Sequence, residues 1–230
     1  MLFRSALPLL LGLVVTASAN AGVEEIRRVE SALRVLDEMN AAPDQRIPAS
    51  LLAHAEAVAV IPDVVKAGLV IGGRHGKGML AVRGDDGSWS NPSFIRLSGG
   101  SLGLQAGVQS SDLILVFRTR RGVESLNRGK FTLGADAAVA AGPVGRYAQA
   151  ATDKHLKAEI FAYSRARGLF AGIALNGAVL GIDSDANAAV FGDDVTPRMI
   201  FDGDVFGGDG RRVPSRLVDF RDRLEEASAE

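Results

Sequence analysis

Residues 57–83 read AVAVIPDVVKAGLVIGGRHGKGMLAVR. Apolar residues come here in short blocks, Ala57 to Ile61, Gly68 to Gly72 and Gly78 to Arg83, with no recurrence at three and four, so strands are favoured over a helix. The middle of the stretch also invites a nucleotide-loop reading. That loop needs G-x-x-x-x-G-K-[ST], whose hydroxyl binds magnesium and whose glycines free the backbone amides for phosphate. Here Gly76-Lys77 is followed by Gly78, and Ile71 stands where the first glycine belongs. The residues after Gly78 pair as a strand and do not open a helix, so no helix dipole faces the loop. Gly72-Gly73 is turn chemistry, and the expectation is a hairpin whose tip carries Arg74, His75 and Lys77 into solvent.

The same alternation continues downstream at Ser88 to Ser90, Phe94 to Leu97, Leu113 to Phe117 and Phe131 to Leu133. Gly84-Asp85-Asp86-Gly87, Asn91-Pro92 and Ser98-Gly99-Gly100 separate these blocks. Such closely spaced strands imply an antiparallel meander, because parallel neighbours need crossovers of about a dozen residues. Glycine supplies 27 of 230 residues, well above the usual share of about 7%. Two ladders at a spacing of four, Gly99-Gly103-Gly107 and Gly168-Gly172 followed by Gly177-Gly181, predict bent or closely packed strands with a bulge or turn near Asn176. Upstream, Ile26, Val29, Leu33, Leu36 and Met39 mark an amphipathic helix from Val23 to Ala42, and Ile47-Pro48 opens a short second helix to about His54. Leu217, Phe220 and Leu224 mark a closing helix, Val213 to Ala229, after a loose segment from Asp202 to Arg212. The predicted class is therefore α+β: a curved, mostly antiparallel glycine-rich sheet or partly closed barrel, packed by an N-terminal helix pair and a C-terminal helix.

Residues 1–21 carry Arg4, an apolar run from Ala6 to Val15 and Ala19-Asn20-Ala21, the pattern of a cleaved export signal; the run is too short to span a bilayer. The expected organisation is a signal peptide over 1–21, one domain over 22–195 (helical to 56, β-rich beyond) and an extension over 196–230 with the closing helix. No cysteine occurs, which excludes disulfides, thiolate catalysis, cysteine zinc sites and a cysteine-linked lipid anchor. Without Arg4 the chain has 25 basic and 27 acidic residues, a near-neutral balance that argues against a dedicated nucleic-acid binder.

Several short motifs suggest chemistry. Gly99-Gly100-Ser101-Leu102-Gly103 is a literal G-x-S-x-G, for which Asp136 or Asp153 and His155 would complete a hydrolase triad. A nucleophile elbow requires a helix after the serine, however, and Gly103 and Gly107 are poor helix formers. His54, His75 and His155 are widely separated and form no metal-binding pair. Asp183, Asp185, Asn187 and Asp194 half-fit a calcium loop, but Ala188 replaces the glycine of its sharp turn, so a polar strand-to-strand turn is expected. Arg118, Arg120, Arg121, Arg128 and Lys130 lie within thirteen residues, opposed only by Glu124. Near an anionic membrane such residues contribute roughly 1 kcal/mol each.

Read together, IPDVVKAGLVIGGRHGKGML, GSWSNPSFIRLSGGSLGLQAGVQSSDLILVF, TLGADAAVAAGPVGR and AYSRARGLFAGIALNGAVLG resemble the SYLF family. These are lipid-binding domains of yeast and animal actin-patch proteins, found also in secreted bacterial proteins. The resemblance runs from about Val23 to Gly192 and leaves the tail beyond Val195 outside the pattern. It implies a non-catalytic, phospholipid-binding module, with phosphoinositides as ligands in eukaryotic relatives, and a β-rich core packed by an N-terminal helix. Eukaryotic members add an SH3 domain and bind actin; neither is expected of this exported chain.

The resulting expectation is binding of anionic phospholipid, with phosphoinositide-like head groups, at a cell-envelope membrane, by a periplasmic or secreted, peripherally associated protein. Head-group contacts are assigned to Lys66, Arg74, Lys77, Arg118, Arg120, Arg121, Lys130 and Arg146, and membrane insertion to Leu169 and Phe170. No catalytic residue, metal or other cofactor is expected. The alternatives are a serine hydrolase using GGSLG, a protein-binding envelope scaffold and a lipid carrier.

Overall fold

A computed structural model describes residues 11–41, 47–68, 71–102, 107–127, 129–144, 158–166, 169–173, 175–205 and 213–229, with residues 11–21, 40, 71, 101 and 102 as backbone only. Helix α1 (Leu11–Asn40) and the short α2 (Ala49–Ala53) precede the strands β1 (Ala57–Gly68), β2 (Ile71–Val82), β3 (Ser93–Leu102) and β4 (Gly107–Phe117). Helix α3 (Arg120–Asn127) leads to β5 (Lys130–Thr132), β6 (Val139–Ala141), β7 (Ile160–Ala166), β8 (Leu169–Gly172) and β9 (Ala178–Ile182). The chain closes with α4 (Ser184–Phe191), α5 (Pro197–Asp202) and α6 (Ser215–Ala229). The nine strands form one sheet in the order β5-β9-β3-β2-β1-β4-β7-β6, with β8 on β7, and all pairs are antiparallel except β6 with β7. It curls into a half-barrel. Phe131 on β5 lies 6.3 Å, ring centre to ring centre, from Phe117 on β4, although four strands separate them in the sheet order.

The meander expectation needs correction. The order β4-β1-β2-β3 is a Greek key. Leu102 and Gly107 stand on the two outer strands of this group but only five peptide units apart in sequence, a reach of at most about 19 Å against roughly 14 Å for three strand spacings. The hairpin expectation is overturned too. Arg74, His75 and Lys77 lie inside β2, opposite Lys66, Val65 and, on β3, Arg96; the chain reverses between Gly68 and Ile71. Three predicted short strands are thus two long ones. The cause is a bulge in β1 at Pro62-Asp63, where both registers slip and Asp63 takes φ 49°. The bulge pushes β1 against β2: a Cβ at Gly76 would lie 2.7 Å from Val64 Cγ2, and one at Gly78 would lie 2.8 Å from Ile61 Cα. The glycines that imitate a phosphate loop make room for a neighbouring strand.

The strands separate two cores. On the inner face Ile61, Leu80, Leu97, Leu115, Phe117, Phe131 and Leu180 pack together, closed at one end by Val123 and Leu126 of α3. On the outer face Val58, Val60, Met79, Phe94 and Tyr163 meet Val29, Leu36 and Met39 of α1 and Leu217, Phe220 and Leu224 of α6. The two amphipathic helices predicted at the chain ends are therefore present, α1 being longer than expected at its start. Asp183 to Asn187 departs from the expected turn, because it opens helix α4. Its polar residues serve the outer core: Arg28 Nη1 donates to Asp183 Oδ2 at 2.9 Å, and Asn187 caps the edge of β3, accepting from Phe94 N at 2.9 Å and donating to Phe94 O at 3.1 Å. The expected loose segment loses Asp202 to α5, and residues 206–212 lie outside the described residues. The glycine ladders are split too: Gly99 belongs to β3 and Gly107 to β4, with Gly103 and Gly168 outside the described residues. The turn foreseen near Asn176 is present, with Gly177 at φ 77°.

Candidate functional site

The upper halves of β1 to β4 project past their neighbours, since β9 pairs with β3 only up to Gly99 and β7 with β4 only from Asp112 onward. This end of the sheet has an unusual charge pattern. From Val64 to Gly78 and from Ile95 to Ser111 the sequence contains no carboxylate but carries Lys66, Arg74, Lys77 and Arg96. Lys66 and Arg74 are directly opposite in register, so they share the inner face, where Gln109 is the other neighbour of Lys66 and Gly99 the other neighbour of Arg74. Neither cation has an acidic partner among the described residues. Arg74 is half-buried, its Nε is enclosed without a hydrogen bond, and burial holds its pKa below the usual arginine range.

Exposed apolar side chains occur at the same end of the sheet, Val65 and Val108 on its outer face. Val65 is 43% exposed, Val108 75% and Leu169 62%, three of the four large hydrophobic residues most exposed in the described chain. Val65 and Val108 lie on adjacent strands two positions apart in register, and Leu169 pairs with Ala166 just beyond the Asp112–Arg165 pair. An end built from two acid-free stretches that carry cations and exposed aliphatic residues is suited to a surface bearing both negative charge and hydrocarbon.

The other residues assigned from sequence are placed elsewhere. Lys77 is on the outer face and donates to Glu24 Oε1 of α1 at 3.0 Å, a bond that holds the Glu24 carboxyl below its ordinary pKa. Arg120 is held by Glu56 at 3.0 Å and Asp85 at 2.7 Å, and its pKa is raised chiefly by the Glu56 hydrogen bond. Arg121 pairs with Glu159 at 3.5 Å, and the Arg118 guanidinium lies 5.9 Å from the Phe161 ring centre. Lys130 is exposed. These four follow or adjoin Phe117, eight residues down β4 from Gln109, which is about 27 Å along a strand. The basic cluster that dominated the sequence is thus at the opposite end from Lys66 and Arg74. Of the insertion pair, Leu169 is exposed while Phe170 is buried in the outer core beneath Arg165. Arg128 and Arg146 lie outside the described residues.

The hydrolase and calcium motifs dissolve into structure. Ser101 is in β3, and the next described element is strand β4, whereas an elbow needs a helix there. His155 and Asp153 lie outside the described residues, and Asp136 Oδ2 accepts from Thr132 N at 2.6 Å within its own turn. Asp183 is committed to Arg28, and among the described residues no group of His, Asp and Glu has metal-binding geometry. Sequence reasoning missed Arg96, Val65, Val108 and Gln109. The signal that would have found this end is the absence of acids across two separate stretches.

Residues 98–227 match the family model Ysc84, described as "Las17-binding protein actin regulator". The match reaches into α6, so the tail beyond Val195 lies within the shared pattern, contrary to expectation. "LAS seventeen-binding protein 3" of Saccharomyces cerevisiae is 38% identical over 163 residues, 70% of this chain and 35% of its own length. "SH3 domain-containing YSC84-like protein 1" of Rattus norvegicus is 36% identical over 184 residues, 79% of this chain and 54% of its own. The Homo sapiens protein of the same name is 34% identical over 183 residues, 78% and 53% respectively. The chain therefore spans about a third of the yeast relative's length and about half of the mammalian ones'. All three are named for binding or for domain content, not for a reaction.

Proposed function

This chain belongs to the Ysc84 family of Las17-binding protein actin regulators, also known by its SYLF domain, and from that premise we propose that it binds anionic phospholipid membranes peripherally, through the projecting end of its half-barrel and without catalysis. One observation carries the reading: Lys66 and Arg74, unpaired by any described acid, share one end of the sheet with the exposed Val65, Val108 and Leu169, the cations on its inner face and the two valines on its outer face. Each cation near an anionic bilayer contributes about 1 kcal/mol, and each aliphatic side chain fully withdrawn from water roughly 1.5 to 3 kcal/mol. Their sum supports reversible docking that weakens with salt. Las17 binding and actin regulation describe relatives of which this chain matches only a part, and neither is proposed here.

Export is part of the same proposal. Among the described α1 side chains the buried ones begin at Glu25 and Arg28, beyond the expected cleavage point. Mass spectrometry of the secreted or periplasmic protein should find Gly22 as the first residue. For the function itself, the test is co-sedimentation with phosphatidylglycerol-containing and with pure phosphatidylcholine vesicles, each at about 50 and 500 mM salt. Binding to the anionic vesicles, reduced by salt, is expected; no binding to either at low salt would remove the reading.

A further inference from the structure

Two like charges placed directly opposite on adjacent strands repel, and natural sheets ordinarily separate them or set a carboxylate beside them. Among the described residues the Lys66–Arg74 pair has neither relief. Arg74 adds a second anomaly. Its Nε is buried without an acceptor, although a guanidinium has five donors and no means of becoming its own acceptor. The neighbours along β2 on the same face are Gly72 and Gly76, and the partner on β3 is Gly99, so no side chain at these positions reaches over the guanidinium. Val64 and Ala178 close the floor by packing where the Cβ atoms of Gly76 and Gly99 would be. What remains in this row of the inner face is a guanidinium next to an ammonium, with the Gln109 amide as the following neighbour.

We infer that Lys66 and Arg74 form a seat for one phosphate group on the inner face of the half-barrel, Arg74 presenting its guanidinium fork and Lys66 the opposing charge. A phosphate monoester or diester has the oxygens to take two guanidinium Nη–H groups together while its charge cancels the repulsion between the two cations. The chemistry is shared by a lipid head group and by a soluble phosphate. The inference deepens the membrane reading and rests on it for the biological source of the phosphate, but the seat makes its own prediction. Diffuse attraction to a bilayer counts charges. A seat distinguishes Arg74 from a cation elsewhere and lysine from arginine.

The experiment uses the full chain after signal removal, with inorganic phosphate and glycerol 3-phosphate as soluble probes and phosphatidylglycerol vesicles as the membrane probe. Wild type is compared with Arg74→Gln, Arg74→Lys, Lys66→Gln and, at the other end, Arg121→Gln. Calorimetric titration should show saturable binding of the soluble phosphates by wild type and Arg121→Gln. Affinity should fall on the order of tenfold in Lys66→Gln and Arg74→Lys, and further in Arg74→Gln. Should Arg74→Gln fail to fold, the lysine and Lys66 variants carry the same comparison. Absence of saturable phosphate binding by wild type, or equal weakening by Arg74→Gln and Arg121→Gln, overturns the seat. Vesicle binding that persists unchanged in Arg74→Gln, together with soluble phosphates that bind this variant as they bind wild type, overturns it while leaving membrane docking intact. Phosphate binding that shows the expected pattern in a protein that ignores vesicles supports the seat and removes the membrane reading.

Discussion

Replacing Asp183 with alanine tests the account of how α1 is fastened to the sheet. Arg28 is 8% exposed, its Nη1 is 2.9 Å from Asp183 Oδ2, and its guanidinium carbon lies 5.2 Å from the Phe94 ring centre. Breaking a buried pair from one side leaves an uncompensated charge and costs about 3 to 5 kcal/mol. Glu25, also buried, remains 3.5 Å from Arg28 and offsets part of that cost, so the lower end, about 3 kcal/mol, is expected. Asp183 makes no side-chain capping bond to α4, so loss of a cap does not enter. In a chain of 230 residues such a loss lowers the melting temperature by on the order of 10 °C, readable by circular dichroism, with a urea melt giving the free energy. Replacing the whole cluster (Glu25→Leu, Arg28→Met, Asp183→Leu) should recover most of the deficit, because apolar packing of similar volume matches a buried ion pair. A loss under about 1 kcal/mol for Asp183→Ala would refute the reasoning, since that is the range of an exposed pair.

Gly78→Ala should destabilise by at least about 2 kcal/mol in the same urea melt, because its Cβ meets β1 backbone, whereas Gly73→Ala, with open space around it, should change stability by less than about 0.5 kcal/mol. Leu169→Asp should leave the melt unchanged and lower the fraction sedimenting with phosphatidylglycerol vesicles several-fold, while Val23→Asp, exposed but on α1, should not. The Glu24 carboxyl is held below its ordinary pKa by Lys77, so the stability this pair contributes is present above the unfolded carboxyl range and is lost as pH falls through the lowered folded value. Glu24→Gln should therefore flatten the acid side of the stability–pH curve slightly, an effect that about 1 M salt erases.

The layered architecture was legible because period-three-and-four apolar spacing at both chain ends and short apolar blocks between them report directly on which faces are buried. Leu217, Phe220 and Leu224 fall where that spacing puts them. The hairpin at 68–71 was not legible. Gly72-Gly73 and Gly76 to Gly78 look like turns when only local conformation is weighed, and the role of Gly76 and Gly78 depends on a bulge 13 and 15 residues earlier in the chain, at Asp63. Helix α4 was hidden for a related reason: Asp183 and Asn187 read as turn residues until Arg28 and the edge of β3, both distant in sequence, are seen to occupy them. The candidate site was half legible. Residue type pointed to cations, but proximity in sequence favoured Arg118 to Lys130, whereas strand pairing brings Lys66 to Arg74 and sends the denser cluster to the far end.

The first and last helices are packed on each other. Leu33 and Leu36 of α1 share a core with Leu217, Phe220 and Leu224, and the seam is edged by Arg223 with Asp37 at 3.0 Å and Arg216 with Glu30 at 3.8 Å. A polypeptide that emerges amino end first, from a ribosome or through a translocation pore, can lay α1 on β1 and β2 early but cannot complete its cover until residues 215–229 have emerged. Closure of that layer is a late event.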